Sequence, residues 1–365
     1  MRKRNNLVEF ARFLFSILVV GYHVQMTFSD GTANFFANGA LAVEFFFLIS
    51  GYFLARSIEK INAKEKHNTA LESCRFMGNK VKGILPIHIT AIVAVVIVIL
   101  ACDLSSSGKI LLNGLPSVFL VQEAGIWTEA YANALIVPEW YLSSMLLCML
   151  IMVPVALLLR KKIKGVFVIL VLLGVLGVIA VIAGLCMNWA YTTTFVYDLR
   201  AWGEMCVGMF AYYLSVLISK RELKKASSIT LKVVEILGYC APVILGFIPI
   251  SENLQPVCMG VTVVCVFAAL SVTFAGKGVS VSNDRLNKAF GYLGGLSLAI
   301  YLFHPVIITL LEYVGKSFSI WQIYLIVFAV TLAAAVIYNL IAMLIKRLIK
   351  AIKARKQPET AEINN

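Results

Sequence analysis

Residues 7–27 read LVEFARFLFSILVVGYHVQMT. The run is long enough to cross a bilayer as a helix, which takes about 20 residues for a hydrocarbon core about 30 Å thick. Yet it carries Arg12 and His23, side chains that a plain anchor excludes. At about 1.5 Å and about 100° per residue, the step from one to the other rises about 16 Å and closes three turns to within about 20°. Both side chains therefore lie on one side of the helix, one toward each membrane face. Ionisable groups are costly inside a span and face a polar interior, so the pair marks a functional axis through the membrane.

The rest of the chain repeats the apolar pattern. Of 365 residues, 60% are hydrophobic and 14% charged, a balance that soluble domains rarely approach. Apolar runs predict an all-α polytopic protein with ten spans, at 7–27, 39–56, 83–102, 138–159, 165–187, 201–219, 233–250, 257–275, 293–314 and 320–345. A single membrane domain over 1–348 is expected, followed by a charged, disordered cytoplasmic tail over 349–365. The segment 110–121 is apolar but short, and Gly114 and Pro116 break it; it reads as interfacial or re-entrant. The first run is too long and too charged for a cleaved signal peptide. Eight scattered cysteines show no CxxC spacing, so neither a disulfide framework nor a metal site is indicated.

The net charge of +13 is topological rather than a nucleic-acid footprint, because the basic residues cluster between apolar runs. With the N-terminus cytoplasmic, every Lys and Arg falls on that side except Arg12, Lys109, Arg200 and Lys316. This asymmetry follows the positive-inside rule and places both termini in the cytoplasm. Depth then follows. Arg12 lies in the inner third of its span. His23, Glu44, Glu139, Trp140, Arg200 and Glu204 lie toward the outer ends, and His304 near mid-membrane.

Each polar residue has a chemical and a plainer reading. His23 suits a general base near physiological pH, with a carboxylate such as Glu44 to orient it; otherwise it is an amphipathic residue at the headgroups. Arg12 offers a fixed charge to an anion, or snorkels to the inner surface. Glu44 interrupts GALAVEFFFLISGYF inside the membrane and calls for a buried partner, His23 or an arginine. Ser50 beside Gly51 fits close helix packing. Trp140 and Tyr141 fit an interfacial aromatic belt. Arg200 and Glu204, four apart, can pair, and Tyr301 and His304 share a helix face. No Ser-His-Asp set, P-loop or dinucleotide fingerprint occurs. The residues alone give a polar site buried in a ten-helix protein, an enzyme or a transporter.

Five stretches, in order, resemble the acyltransferase-three family of integral membrane O-acyltransferases. They are Arg12 and His23 with ten residues between them; Gly39, Val43, Glu44, Phe46, Phe47, Ser50, Gly51 and Tyr52; Trp140, Tyr141, Leu142 and Ser143; Arg200, Glu204 and Gly208; and Ser297, Tyr301, Leu302 and His304. The family's basic stretch before span three departs here: KVKGILP keeps Lys80 and Pro86 but has Gly83 at the second basic position, with Lys82 one residue away. The resemblance implies transfer of an acyl group, commonly acetyl, from cytoplasmic acyl-CoA (acetyl-CoA) as co-substrate to a hydroxyl of a surface glycan, glycolipid or similar acceptor. It makes His23 the essential histidine and puts Arg12, Lys80 and Lys82 on the donor side. No tightly bound cofactor, metal or nucleic acid is expected; membrane lipids surround the chain, a homo-oligomer is open, and a bacterial cytoplasmic membrane is the implied location. The competing class is a permease using the same polar axis.

Overall fold

The computed structural model describes residues 5–29, 35–64, 68–105, 107–124, 134–186, 193–315 and 317–362. Its helices run in chain order as α1 (Asn6–Phe28), α2 (Ala42–Asn62), α3 (Thr69–Cys102), α4 (Ser107–Asn113), α5 (Leu115–Val118), α6 (Trp140–Arg160), α7 (Gly165–Cys186), α8 (Thr193–Ser219), α9 (Lys225–Phe247), α10 (Gln255–Ala275), α11 (Asp284–Val314) and α12 (Ile320–Glu362). Among the described residues nine helices are long and apolar enough to cross a membrane. The tenth run read from the sequence, 165–187, falls on the uncharged α7, of which the described apolar stretch is shorter than a span. The short α4 and α5 cannot cross, as expected of the segment 110–121.

Helix ends differ from the hydropathy windows where charge and backbone preference part company. The helix α3 begins fourteen residues before its window, at Thr69, capped by the Asn68 side chain, which accepts from the Leu71 amide at 3.1 Å. Lys, Arg and Glu form helix well, so a charged stretch that ends an apolar run need not end the helix. The helix α12 runs from Ile320 to Glu362, past the apolar window that ends at 345.

Packing sorts the helices. The helix α1 lies along α11, α2 along α8, and α9 along α10. Innermost is α2, where Phe45, Phe47, Leu48 and Leu54 are wholly buried. Outermost are α9 and α12, whose Ile229, Ile236, Leu325 and Leu340 stay exposed as lipid-facing residues do. The α2–α8 contact is backbone on backbone. A Cβ on Gly51 would overlap the Met205 carbonyl, and one on Gly208 the Leu48 carbonyl. Small residues allow such an approach. It sets the two helices in the register that brings Glu44 to Arg200.

Candidate active site

Three cavities lie along the axis from Arg12 to His23. The first, about 340 Å³, is walled by α1, α2, α3, α6 and α11, with Arg12, Ser50, Asn79, Lys80, Gly83, Tyr141, Ser297 and Tyr301 on its lining. Arg12 leans on Glu9 at 3.3 Å and keeps a third of its side chain exposed. A Cβ on Gly83 would meet open space. Lys82 points elsewhere: it is exposed and does not line this cavity. The expected donor-side trio thus reduces to Arg12 and Lys80.

One wall of the cavity is formed by Phe46, Tyr141 and Tyr301, whose ring centroids stand 5.9–6.4 Å apart. Hydrogen bonds fix this wall. The Tyr141 hydroxyl donates to the Phe46 carbonyl at 3.1 Å and lies 3.2 Å from the Ser50 hydroxyl. The Tyr301 hydroxyl donates to the Pro138 carbonyl.

Beyond the wall stand the two histidines. His23 Nδ1 is 2.8 Å from the Val19 carbonyl and 3.3 Å from His304 Nε2; His304 Nδ1 is 3.2 Å from the Ile300 carbonyl. A carbonyl oxygen only accepts, so both Nδ1 atoms carry the hydrogen, by assignment from the bond network. His304 Nε2 is then a lone pair facing His23 Nδ1–H. The result leaves His23 Nε2 as a bare acceptor with no hydrogen-bond partner among the described residues. Pro305 lacks an N–H and relaxes the helical ladder beside His304.

His23 lines both remaining cavities. The second, about 320 Å³, shares His304 and is otherwise walled by Val95, Ile99, Val137 and Ile308, with Glu312 on its lining. The third, about 310 Å³, is lined by Tyr22, Asn38, Trp140, Tyr197 and Arg200. Trp140 and Tyr197 lie ring to ring at 4.4 Å, and the Arg200 guanidinium sits 5.6 Å from the Trp140 ring.

The structure gives Glu44 its partner, and it is not His23. Glu44 is fully buried and ion-paired with Arg200, which also holds Glu204 at 3.1 Å. The reading of Glu44 as the group that orients His23 is therefore corrected: Val19 and His304 do that, while Glu44 orients Arg200. Ser143 is buried and lines none of the three cavities; its hydroxyl accepts from the Glu123 amide at 3.2 Å and braces the turn after α5. Outside the spans, burial and the neighbouring Asp198 charge push the Glu123 carboxyl up to about 8.

Sequence reading passed over one pair. His88 and Glu139 are both fully buried and joined at 2.6 Å, and His88 Nε2 donates to the Val118 carbonyl at 3.1 Å. The pair ties α3 to the turn before α6, the turn whose Pro138 carbonyl receives Tyr301. Its signal was a histidine inside the apolar run ILPIHITAIV. Tyr22, Asn38 and Tyr197 were also missed; aromatic and amide residues near span ends carry no distinctive spacing.

A family model described as an acyltransferase domain matches residues 5–340. No curated protein and no solved structure matches the chain.

Proposed function

The chain belongs to this membrane acyltransferase family, and we propose that it moves an acyl group, acetyl in the first instance, from a cytoplasmic acyl-CoA to a hydroxyl of an extracytoplasmic or membrane-linked glycan. The observation that carries the reading is the order of the three cavities. Fixed positive charge, Arg12 and Lys80, lies on the first, and an unprotonated imidazole nitrogen lies beyond the aromatic wall. Basic loop charge favours the Arg12 side as cytoplasmic and both termini with it.

In this reading Arg12 and Lys80 hold the phosphates of the donor by charge and forked hydrogen bonds. His23 Nε2 takes the proton of the acceptor hydroxyl as its oxygen attacks the thioester carbonyl. A C–O bond forms, the C–S bond breaks, and the proton passes from the imidazolium to the leaving thiolate. His304 and the Val19 carbonyl hold His23 Nδ1–H throughout, which keeps Nε2 the reacting nitrogen. Since Phe46, Tyr141 and Tyr301 stand between donor cavity and base, the acyl group reaches His23 past these rings.

The test is acyl-CoA consumption by the protein in nanodiscs with native lipid and glycan extract. Lys80→Ala and Arg12→Ala should raise the donor KM about 10- to 100-fold, the worth of one hydrogen bond to a charged group at about 1.5–3 kcal/mol. Gly83→Arg, growing into open space, should lower it. A wild type that neither binds nor consumes acyl-CoA overturns the reading and leaves transport in its place.

A further inference from the structure

We infer that Glu123, Asp198 and Ser144 bind one hard divalent cation, calcium in the first instance, which ties the turn after α5 to the outer ends of α6 and α8.

Three separate segments bring the oxygens together. The Glu123 amide donates to the Ser143 hydroxyl at 3.2 Å, which lays the turn against the first turn of α6. Ser144, the next residue of α6, is four positions before Cys148 and shares its helix face. The Cys148 thiol donates to the Asp198 carbonyl at 3.4 Å, so that face meets α8 at Asp198. There the Ser144 hydroxyl stands beside the Asp198 carboxylate, and the Asp198 charge reaches Glu123. Spacing along the chain gives no sign of this meeting, because the three residues belong to different elements.

These oxygens lack partners. Glu123 is 1% exposed, and neither of its carboxylate oxygens is hydrogen-bonded among the described residues. Asp198 Oδ1 and the wholly buried Ser144 hydroxyl make no hydrogen bond of ordinary geometry either. Gln122, buried beside Glu123 in the turn, has both its amide oxygen and its amide nitrogen unbonded. Buried polar groups are nearly always bonded, and a buried charge is paired or coordinates a metal.

No side-chain cation fills that role. Among the described residues no Lys or Arg pairs with either acid. In the positive-inside topology the outward side offers Lys109, Arg200 and Lys316. Lys109 is exposed, Arg200 is held by Glu44 and Glu204, and Lys316 lies outside the described residues. A water satisfies a hydroxyl but leaves two carboxylate charges unbalanced. A divalent cation balances both, and calcium takes oxygen donors in a flexible geometry. A proton on Glu123 is the rival way to remove the charge.

The experiment separates the two. Full-length protein in phosphatidylcholine nanodiscs is stripped with a chelator and equilibrated with radiolabelled calcium over about 0.01–10 mM, the span that covers weak extracellular calcium sites. Empty nanodiscs give the lipid background. Bound calcium per chain and the thermal midpoint by tryptophan fluorescence are read on the same samples. Expected is one saturable ion per chain and a midpoint that rises with calcium, because a ligand of the folded state stabilises it. Glu123→Gln and Asp198→Asn should each weaken binding at least about tenfold, since affinity follows the number of ligand charges. Ser144→Ala, which removes a neutral oxygen and little volume, should weaken it less, and it carries the test if the charge variants do not fold. Wild type with no calcium above the empty nanodiscs and an unmoved midpoint overturns the inference and leaves the proton on Glu123. Binding equal to wild type in every variant that folds places the ion elsewhere and overturns it too. No acyl-CoA enters these measurements, so the acyltransferase reading stands apart from their outcome.

Discussion

Replacing Arg200 by glutamine removes one cation from between two buried carboxylates. Side-chain exposure is 0% for Glu44, 10% for Glu204 and 19% for Arg200, so the cluster lies near the fully buried limit. One Glu204 oxygen already lacks a partner. Breaking a buried pair by removing one member costs about 3–5 kcal/mol, because the survivor's charge is left without compensation. Against a typical total stability of about 5–15 kcal/mol, that is a large share. Adding Glu44→Gln removes the deeper of the two carboxylates left without a cation, and the double variant should recover at least about 1 kcal/mol over Arg200→Gln alone. Reversible unfolding by steric trapping in bicelles reads both numbers. A single variant within about 0.5 kcal/mol of wild type, the size of an ordinary surface change, refutes the buried-triad reasoning. So does a double variant no more stable than the single one.

Other perturbations probe separate parts of the fold. Gly51→Ala and Gly208→Ala each force the α2 and α8 backbones apart and should cost about 1–3 kcal/mol apiece, read as a lower thermal midpoint in detergent; unchanged midpoints would mean the helices do not touch as described. The raised Glu123 carboxyl binds its proton more tightly in the folded than in the unfolded chain, where the usual value is about 4.3. Its stabilising contribution is therefore full below about pH 4 and lost as pH rises through about 8. Glu123→Gln should flatten the fall in thermal midpoint between pH 5 and 8, and an unchanged slope in the variant would assign that fall to other groups.

Much of this architecture is readable from the chain because lipid enforces it. A span must bury its own backbone hydrogen bonds and show apolar side chains outward, so length and hydropathy mark the helices. The axis from Arg12 to His23 is readable for a similar reason: both sit on one short helix, where spacing fixes direction. Pairings across the bundle are not. Glu44 and Arg200 are 156 positions apart, His88 and Glu139 are 51 apart, and His23 and His304 are 281 apart. Which carboxylate meets which cation depends on helix neighbours and register, here on the Gly51–Gly208 approach. Hydropathy records neither. The sequence leaves Glu44 open between His23 and an arginine, and that register decides it for Arg200; Lys82 lies off the cavity that Gly83 lines because neighbouring helical residues face directions about 100° apart.

The most direct measurement of the central claim is single-turnover transfer from radiolabelled acetyl-CoA by wild type, His23→Gln and His304→Gln in nanodiscs, with donor binding measured on the same samples. A general base contributes about 10²- to 10⁴-fold. The account predicts a loss of that size in His23→Gln with donor affinity unchanged, and a smaller loss in His304→Gln. Transfer by His23→Gln at the wild-type rate would contradict it.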